Sequence, residues 1–470
     1  MYNLHVHSDY SNIKYLDSIN KVEDIIKTSI ECGLKGSALT DHETLSGHLV
    51  FLDAAKAVNK KGQELLEKGD TSEKANLMAG FKPILGNEVY LTREGLTQET
   101  YEKGEKFYHF ILLAKDKKGW QQLNELSSIA WDRYFVRAIP RTPLYISDIE
   151  RVVGEDPGHL IATSACLGGF LGRVIQDYTA GKIDKDDAQE QFGNFSKRMK
   201  RIFGDDFYYE LQPGQSEEQI FYNRNLVNWS KRLDIKLMVA TDAHYNRPEW
   251  KEVHEAYLNS QEAERETGDF YDYTYIMSEK EIREFLATHL DSDVITSAIY
   301  NTNQIGEKIE RFEIERSPII PKIPFKDKEF WDETINRYDD LEWFKVFSHS
   351  NDDNKFLLYK IIQGIENMES RGWLKPDLPT VLEKVNLELE AIYKISEKLN
   401  QNMSTYFTTF QGIVDQIWKI SALAPGRGSA GAFVINFLLE ITQINPLTQP
   451  IPYTPWRFIA PDKASLPDID

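Results

Sequence analysis

His5 and His7 are two residues apart, a spacing that puts both imidazoles on one face of a strand, where they can bind the same metal or adjacent metals. Asp242 and His244 repeat the arrangement with a carboxylate and an imidazole. Asp41-His42 follows the apolar run 36–40, and Glu88, His109 and Cys166 each border another such run. Mixed imidazole and carboxylate ligands suit zinc, manganese or iron, and zinc tolerates a lone thiolate. One H-x-H is a weak signal. Combined with a strand-end D-H and a D-x-H in one alternation of strands and helices, it points strongly to metal. His48, His159, His254, His289 and His349 lie outside this pattern and read as surface or satisfied core residues, and Cys32 as a buried apolar residue on a helix.

A second constellation lies near the other end. Gly426, Arg427, Gly428 and Ser429 precede the apolar stretch 432–441, read as a helix. Glycines let backbone N–H groups approach a phosphate, Arg427 offers a bidentate charge, and a helix N-terminus behind the loop adds a favourable dipole. Asp468 and Asp470 are two apart, so on a strand both would face the same Mg²⁺ ions. Without the glycine loop upstream, they would read simply as a solvated C-terminal segment.

Positioning these groups requires strands. Short apolar runs at 4–7, 36–40, 83–87, 110–114, 160–163 and 237–241 alternate with amphipathic helical patterns such as 22–32, 188–203 and 217–233. Alternation of this kind predicts a parallel sheet, and chemistry at six or more strand ends favours a barrel over an open sheet. The texture changes near residue 280. Residues 282–308 read as helices, and 318–324 (P-I-I-P-K-I-P) as an extended linker. Residues 329–400 are helical and charged, with Trp331, Trp343 and Trp373 expected in core seams, and a new apolar region starts at Tyr406.

Composition bounds the function. The chain has 470 residues and a formal charge of −19, with 41% hydrophobic and 27% charged residues, which excludes a disordered or low-complexity scaffold. The acidity argues against a protein that coats nucleic acid through its overall field, but leaves room for a local phosphate-handling site. No segment reaches the ~20 apolar residues of a membrane span. The start, MYNLHVHSDYS, lacks signal-peptide features, and two cysteines cannot build a disulfide framework, so a cytoplasmic location is expected.

The motifs H-V-H-S-D-Y-S (5–11), L-T-D-H (39–42), G-N-E-V-Y (86–90), Y-H-F-I-L-L-A-K (108–115) and A-T-D-A-H-Y (240–245) resemble the PHP domain that opens the alpha subunit of bacterial and phage DNA polymerase III. The resemblance implies a distorted seven-fold α/β barrel whose ligands hold up to three divalent metals (Zn²⁺, Mn²⁺ or Fe²⁺). Those ligands would be His5, His7, Asp17, His42, Glu88, His109, Cys166, Asp242 and His244, with Asp41 behind them. Asp17 lies in L-D-S where the family has L-D-G, after a slightly longer segment, and Cys166 in C-L-G-G where C-L-S-G is usual. Downstream, P-G-R-G-S-A and P-D-I-D resemble the start of the polymerase palm, with Asn445 at a position that is commonly Asp.

The implied organisation is a PHP domain over 1–280, a connector over 281–325 and an α+β partial palm over 326–470, interrupted within its catalytic motif. The implied function is DNA synthesis once a C-terminal polymerase portion completes the palm, with metal-dependent 3′→5′ exonuclease activity in the PHP domain. Primer-template DNA, dNTPs, Mg²⁺ and, through the remaining part, a sliding clamp would be its partners, with no membrane. A split gene is the expectation for the interrupted motif. A stand-alone phosphoesterase and a noncatalytic replisome module are the alternatives.

Overall fold

The computed structural model describes residues 1–97, 99–134, 140–260, 269–314, 319–322, 334–423, 426, 428–451, 453–460 and 466–469. They form two compact units, Met1–Ile314 and Glu315–Asp470.

The first unit is built on eight strands: β1 (Tyr2–Asn3), β2 (Gly36–Leu39), β3 (Lys82–Leu91), β4 (Tyr108–Ala114), β5 (Pro143–Leu144), β6 (Leu160–Thr163), β7 (Phe207–Leu211) and β8 (Lys236–Val239). Their order is β1-β2-β3-β4-β6-β7-β8, with β5 added beside β3. Neighbours pair in parallel except around β4, which is antiparallel to β3 and to β6. A parallel bridge between Val6 and Ala243 joins the two ends of the order, with His7 N donating to Ala243 O at 2.9 Å and Ala243 N to His5 O at 3.2 Å. The sheet is therefore a nearly closed barrel.

Below that bridge β1 and β8 are not paired, and the helix Ser292–Lys308 covers the seam. Val239 N donates to Thr302 Oγ1 at 2.8 Å, Asn301 Nδ2 donates to Leu237 O at 2.8 Å, and Gly306 lies so close to the Tyr2 ring that a Cβ would sit 2.2 Å from it. This helix and Glu279–Leu286, assigned to a connector on the sequence alone, pack within the first unit.

Alternation sorts the strand side chains into two layers. Ala38, Ile84, Ile111, Leu113, Ile161, Tyr208 and Met238 fill the barrel interior, while Leu39, Leu85, Phe110, Leu112, Leu160, Ala162, Phe207, Tyr209 and Val239 face the surrounding helices. Those helices include the expected Val22–Glu31, Lys185–Phe203 and Glu217–Leu233, the last two capped by Asp184 and Ser216. Cys32 is half-buried at the end of the first of these rather than within it.

The second unit has its own core around the helices Glu342–Ser348, Asp352–Ser370, Leu378–Leu399 and Ser404–Ile420. Its described residues contain no strand, whereas an α+β palm was expected; a strand needs a partner, and Leu466–Ile469 pair with none among the described residues. Trp343 packs against the core, but Trp373 is 57% exposed rather than in a seam, and Trp331 lies outside the described residues. No described helix is long and apolar enough to cross a membrane.

Candidate metal centre

The strand alternation carries a polar layer above the apolar interior. Glu88 continues the inward row of Ile84 on β3, His109 that of Ile111 on β4, Thr163 that of Ile161 on β6, and Glu210 that of Tyr208 on β7. Because β4 runs antiparallel, His109 reaches this layer from the start of its strand while the others reach it from near the end of theirs. Glu88 lies within β3, which runs on to Leu91, rather than at a strand boundary. His5 and His7 enter from the segment after β1. There the pleat resets, since Tyr2 and Leu4 face inward but Val6 faces the helices.

Three interlocking groups of ligand atoms result. His7, His42 and His244 form one, His5, His7, Glu88 and Asp242 a second, and Glu88, His109 and Cys166 a third, with the atoms of each within 4.8 Å of one another. Asp17 adjoins the first group, its Oδ2 2.8 Å from His42 Nε2 and its Oδ1 3.8 Å from His244 Nε2. All except His109 are buried, and each is at a position singled out in the sequence.

Hydrogen bonds behind the ligands fix which nitrogen of each ring is available. His5 Nδ1 donates to Glu210 Oε1 at 2.7 Å, and Glu210 is itself held by Thr163 Oγ1 (2.6 Å) and Gln212 Nε2 (2.9 Å). His244 Nδ1 donates to the Asp242 carbonyl at 2.7 Å. Ser11 Oγ donates to Asp41 Oδ1 at 2.8 Å, leaving it to accept from His7 Nδ1 at 3.2 Å. Asp41, placed behind the ligands on the sequence, thus acts on His7 through Ser11 and also anchors Ser8 N at 2.6 Å. His254 Nε2 donates to the Asp17 carbonyl at 2.6 Å and Tyr271 OH to Asp17 Oδ1 at 3.0 Å. Asp242 adopts a left-handed φ of +49°, uncommon for a non-glycine residue and held here by its packed surroundings.

With their Nδ1 protons committed, His5 and His7 turn lone pairs towards carboxylates. His5 Nε2 is 3.0 Å from His7 Nε2, 3.1 Å from Glu88 Oε2 and 3.0 Å from Asp242 Oδ1; His7 Nε2 is 2.9 Å from Glu88 Oε2. Acceptors converging at this range repel unless a cation sits among them. The buried atoms Glu88 Oε1, Asp242 Oδ1 and His42 Nε2 make no well-aligned hydrogen bond, and their near neighbours are other atoms of the cluster: His109 Nδ1, His5 Nε2 and Asp17 Oδ2. The donor set therefore fits divalent metal ions.

The same demand for positive charge shows in the titration of the groups. Burial works against charging His7, yet the Asp242 and Glu88 carboxylates raise it to about 9, and Asp242 and Glu210 raise His5 against the same burial. Glu88 and Asp242 lie well below the carboxylate range: burial opposes this, but His109 and His42 act on the one and His5 and His244 on the other. Burial lowers His42 to about 4 and also lowers His244. Burial, with Asp242 and Glu88 nearby, pushes the Cys166 thiol up, so a cation would be needed to hold it as thiolate.

The histidines read as bystanders lie outside these groups. His48 is buried and satisfied, its Nε2 donating to Gly86 O at 2.8 Å and its Nδ1 accepting from Trp120 Nε1 at 3.2 Å. His159 pairs with Asp116, and His289 is held by Asn223 and Thr288. Glu210 was missed on the sequence. Its signal was a carboxylate inside the strand-like run F-Y-Y-E-L, which buries it without solvent to face.

The second constellation is less assembled. Gly426 and Gly428 have φ of +105° and +72°, which glycine alone adopts readily; Ser429 is half-buried, and Arg427 lies outside the described residues. The expected long helix is a 3₁₀ turn, Gly428–Ala432, followed by the short helix Val434–Leu438. The N–H groups of Val434 and Ile435 each donate at 2.9 Å to the buried Glu388 carboxylate, so that helix start is already capped and does not serve a phosphate. Asp468 is exposed on irregular backbone rather than on a strand, and Asp470 lies outside the described residues. Asn445 caps the turn Pro446–Thr448, accepting from Leu447 N at 2.9 Å.

Residues 3–214 match the PHP domain model, and residues 358–470 match the model of the bacterial DNA polymerase III alpha NTPase domain. Over all of its length the chain is 38% identical to a Bacillus subtilis protein named "Probable DNA polymerase YorL" and to the "DNA-directed DNA polymerase" of Bacillus phage SPbeta, covering 36% of each. It is 30% identical to the DNA polymerase III subunit alpha of Aquifex aeolicus over 99% of this chain and 35% of that protein. The chain thus spans about a third of the length of these relatives.

Proposed function

We propose that the chain is the N-terminal part of a DNA polymerase III alpha-like protein, and that its buried centre binds up to three divalent ions and hydrolyses DNA phosphodiesters from the 3′ end; the matches to the PHP and polymerase III alpha models support this reading. His5, His7, Asp17, His42, Glu88, His109, Cys166, Asp242 and His244 would hold the ions, drawn from Zn²⁺, Mn²⁺ and Fe²⁺. Bound there, they would supply Lewis-acid activation of a water and positive charge against the phosphate oxygens. The observation that carries the reading is the convergence of lone pairs from His5, His7, Glu88 and Asp242, fixed from behind by Glu210 and by Asp41 through Ser11. In the reaction, the water oxygen would bond to phosphorus, the bond from phosphorus to the preceding 3′ oxygen would break, that oxygen would take up a proton from the water as the new 3′ hydroxyl, and a 5′-mononucleotide would be released.

The second unit would contribute part of a polymerase palm. Gly426, Arg427, Gly428 and Ser429 would approach the dNTP phosphates, and Asp468 and Asp470 would share Mg²⁺ with a further acid. DNA synthesis on primer-template would then need the rest of a polymerase chain, with a sliding clamp engaged through that part, in the cytoplasm of a bacterium or an infected host.

The test is metal analysis by mass spectrometry together with Mn²⁺- and Zn²⁺-dependent release of mononucleotides from 3′-terminal DNA. His7→Ala and Asp242→Ala are expected to abolish release while leaving the circular dichroism spectrum of the fold. A metal-loaded, unmutated protein that releases no nucleotide leaves the centre a brace for the fold and overturns the exonuclease reading.

A further inference from the structure

Arg141 stands beside the metal centre without a task in it. Its guanidinium lies over two aromatic rings, 4.6 Å from the centroid of Tyr90 and 4.8 Å from that of Tyr15. The Tyr90 hydroxyl is 3.2 Å from His42 Nδ1, so a single ring separates Arg141 from a ligand of the first group. Asp17 is among the charges that act on it, after Tyr90 and Glu43.

The side chain is only 17% exposed, yet its hydrogen bonding is sparse. Of five N–H donors, one reaches an acceptor among the described residues: Nη1 to Glu43 Oε2, at a long 3.4 Å. Glu43 is otherwise satisfied, its Oε1 accepting from Lys14 Nζ at 3.1 Å and from Thr142 N. Lys14 thus already neutralises Glu43, and the Arg141 charge is left over. Withdrawing a guanidinium from water for one long hydrogen bond among the described residues is costly, whereas the Tyr90 and Tyr15 rings beside it hold the group in place for a charge-assisted anion contact.

From this geometry we infer that Arg141 binds a phosphate oxygen of the substrate diester, with Tyr15 and Tyr90 as the clamp that orients it. The inference rests on the phosphodiesterase reading of the centre. It adds a cationic residue to the recognition of the substrate, and it gives a strongly acidic chain a local positive charge for an anionic polymer.

The experiment uses the whole chain loaded with Mn²⁺, comparing the unmutated protein with Arg141→Ala and Arg141→Lys. Metal content and melting temperature establish that the centre is intact. Calorimetric binding of inorganic phosphate, and kcat and KM for a single-stranded oligodeoxynucleotide, are then measured. Arg141→Ala is expected to weaken phosphate binding and raise KM by about 10- to 100-fold, the scale of one lost charge-assisted hydrogen bond, with unchanged metal content. Arg141→Lys should recover part of the loss, since it restores the charge without the fork.

Unchanged phosphate affinity and KM in Arg141→Ala, or loss of metal from it, overturns the assignment. A fall in phosphate affinity with unchanged oligonucleotide KM assigns the site to free phosphate and overturns the diester contact. If the unmutated protein binds phosphate and the oligonucleotide but releases no nucleotide from it, the exonuclease reading fails alone, and the dependence of binding on Arg141 still decides this one.

Discussion

Glu210 never reaches the centre of the metal-type cluster, yet it decides what His5 can do there. By accepting the Nδ1 proton at 2.7 Å it leaves Nε2 as a lone pair aimed at the other ligands. Glu210→Gln keeps the volume but can place an amide N–H against that proton. Loss of such an outer partner typically costs 10- to 100-fold in metal affinity, so a fall of about that size is expected in competition with a chelator, with little change in fold. Equal affinity in the variant would mean that the tautomer of His5 is set elsewhere. Ser11→Ala is expected to act in the same direction through His7, and more weakly, because its hydrogen bond is the longer one at 3.2 Å.

At the scale of elements, the barrel depends on a helix to cover the seam that its strands leave open. Thr302, fully buried on Ser292–Lys308, supplies the acceptor for Val239 N at 2.8 Å, a position that a neighbouring strand would otherwise fill. Thr302→Val is nearly isosteric but orphans that N–H, and about 1–3 kcal/mol of destabilisation is expected by urea titration. Gly306→Ala is expected to destabilise by about 1–3 kcal/mol as well, because its Cβ would enter the Tyr2 ring at 2.2 Å. If both variants unfold at the midpoint of the unmutated protein, the seam does not depend on this helix.

At the scale of the molecule, each unit has a separate apolar core, so residues 1–314 produced alone are expected to fold cooperatively and bind metal at the stoichiometry of the whole chain. Metal removal should also expose a pH dependence. His7, raised to about 9 when folded, and His5, also raised, stabilise the chelated protein fully below pH 6.5, and that contribution is lost as pH climbs towards 9. His42 and His48, both lowered to about 4, and His244, lowered too, take stability away as pH falls below 6.5. Chelated protein should therefore melt highest near pH 6.5 and lower on either side. With Mn²⁺ replacing the protons on His5 and His7, the alkaline decline should vanish. A chelated melting temperature that stays level from pH 6.5 to 9 would contradict the protonated pair.

The positions that converge in the buried centre were legible in the sequence because they are local facts. H-x-H and D-x-H spacing puts two groups on one face, and apolar runs mark the strands that carry Glu88 and His109. The resemblance of those motifs added Asp17, and the fold of the first unit followed from the alternation of strand and helix. What the sequence could not determine depended on partners distant along the chain. Glu210 looked like any acidic residue until β7 turned it inward beneath His5. The reversal of β4, which brings His109 to the common rim from the start of its strand, exists only in the pairing with β3 and β6. The glycine loop looked ready to present a helix N-terminus to phosphate, but Glu388, from a helix far upstream, already occupies those N–H groups. Spacing fixes which side chains share a face; which groups share a buried space, and which hydrogen bonds are already taken, is decided only when the strands and helices pack.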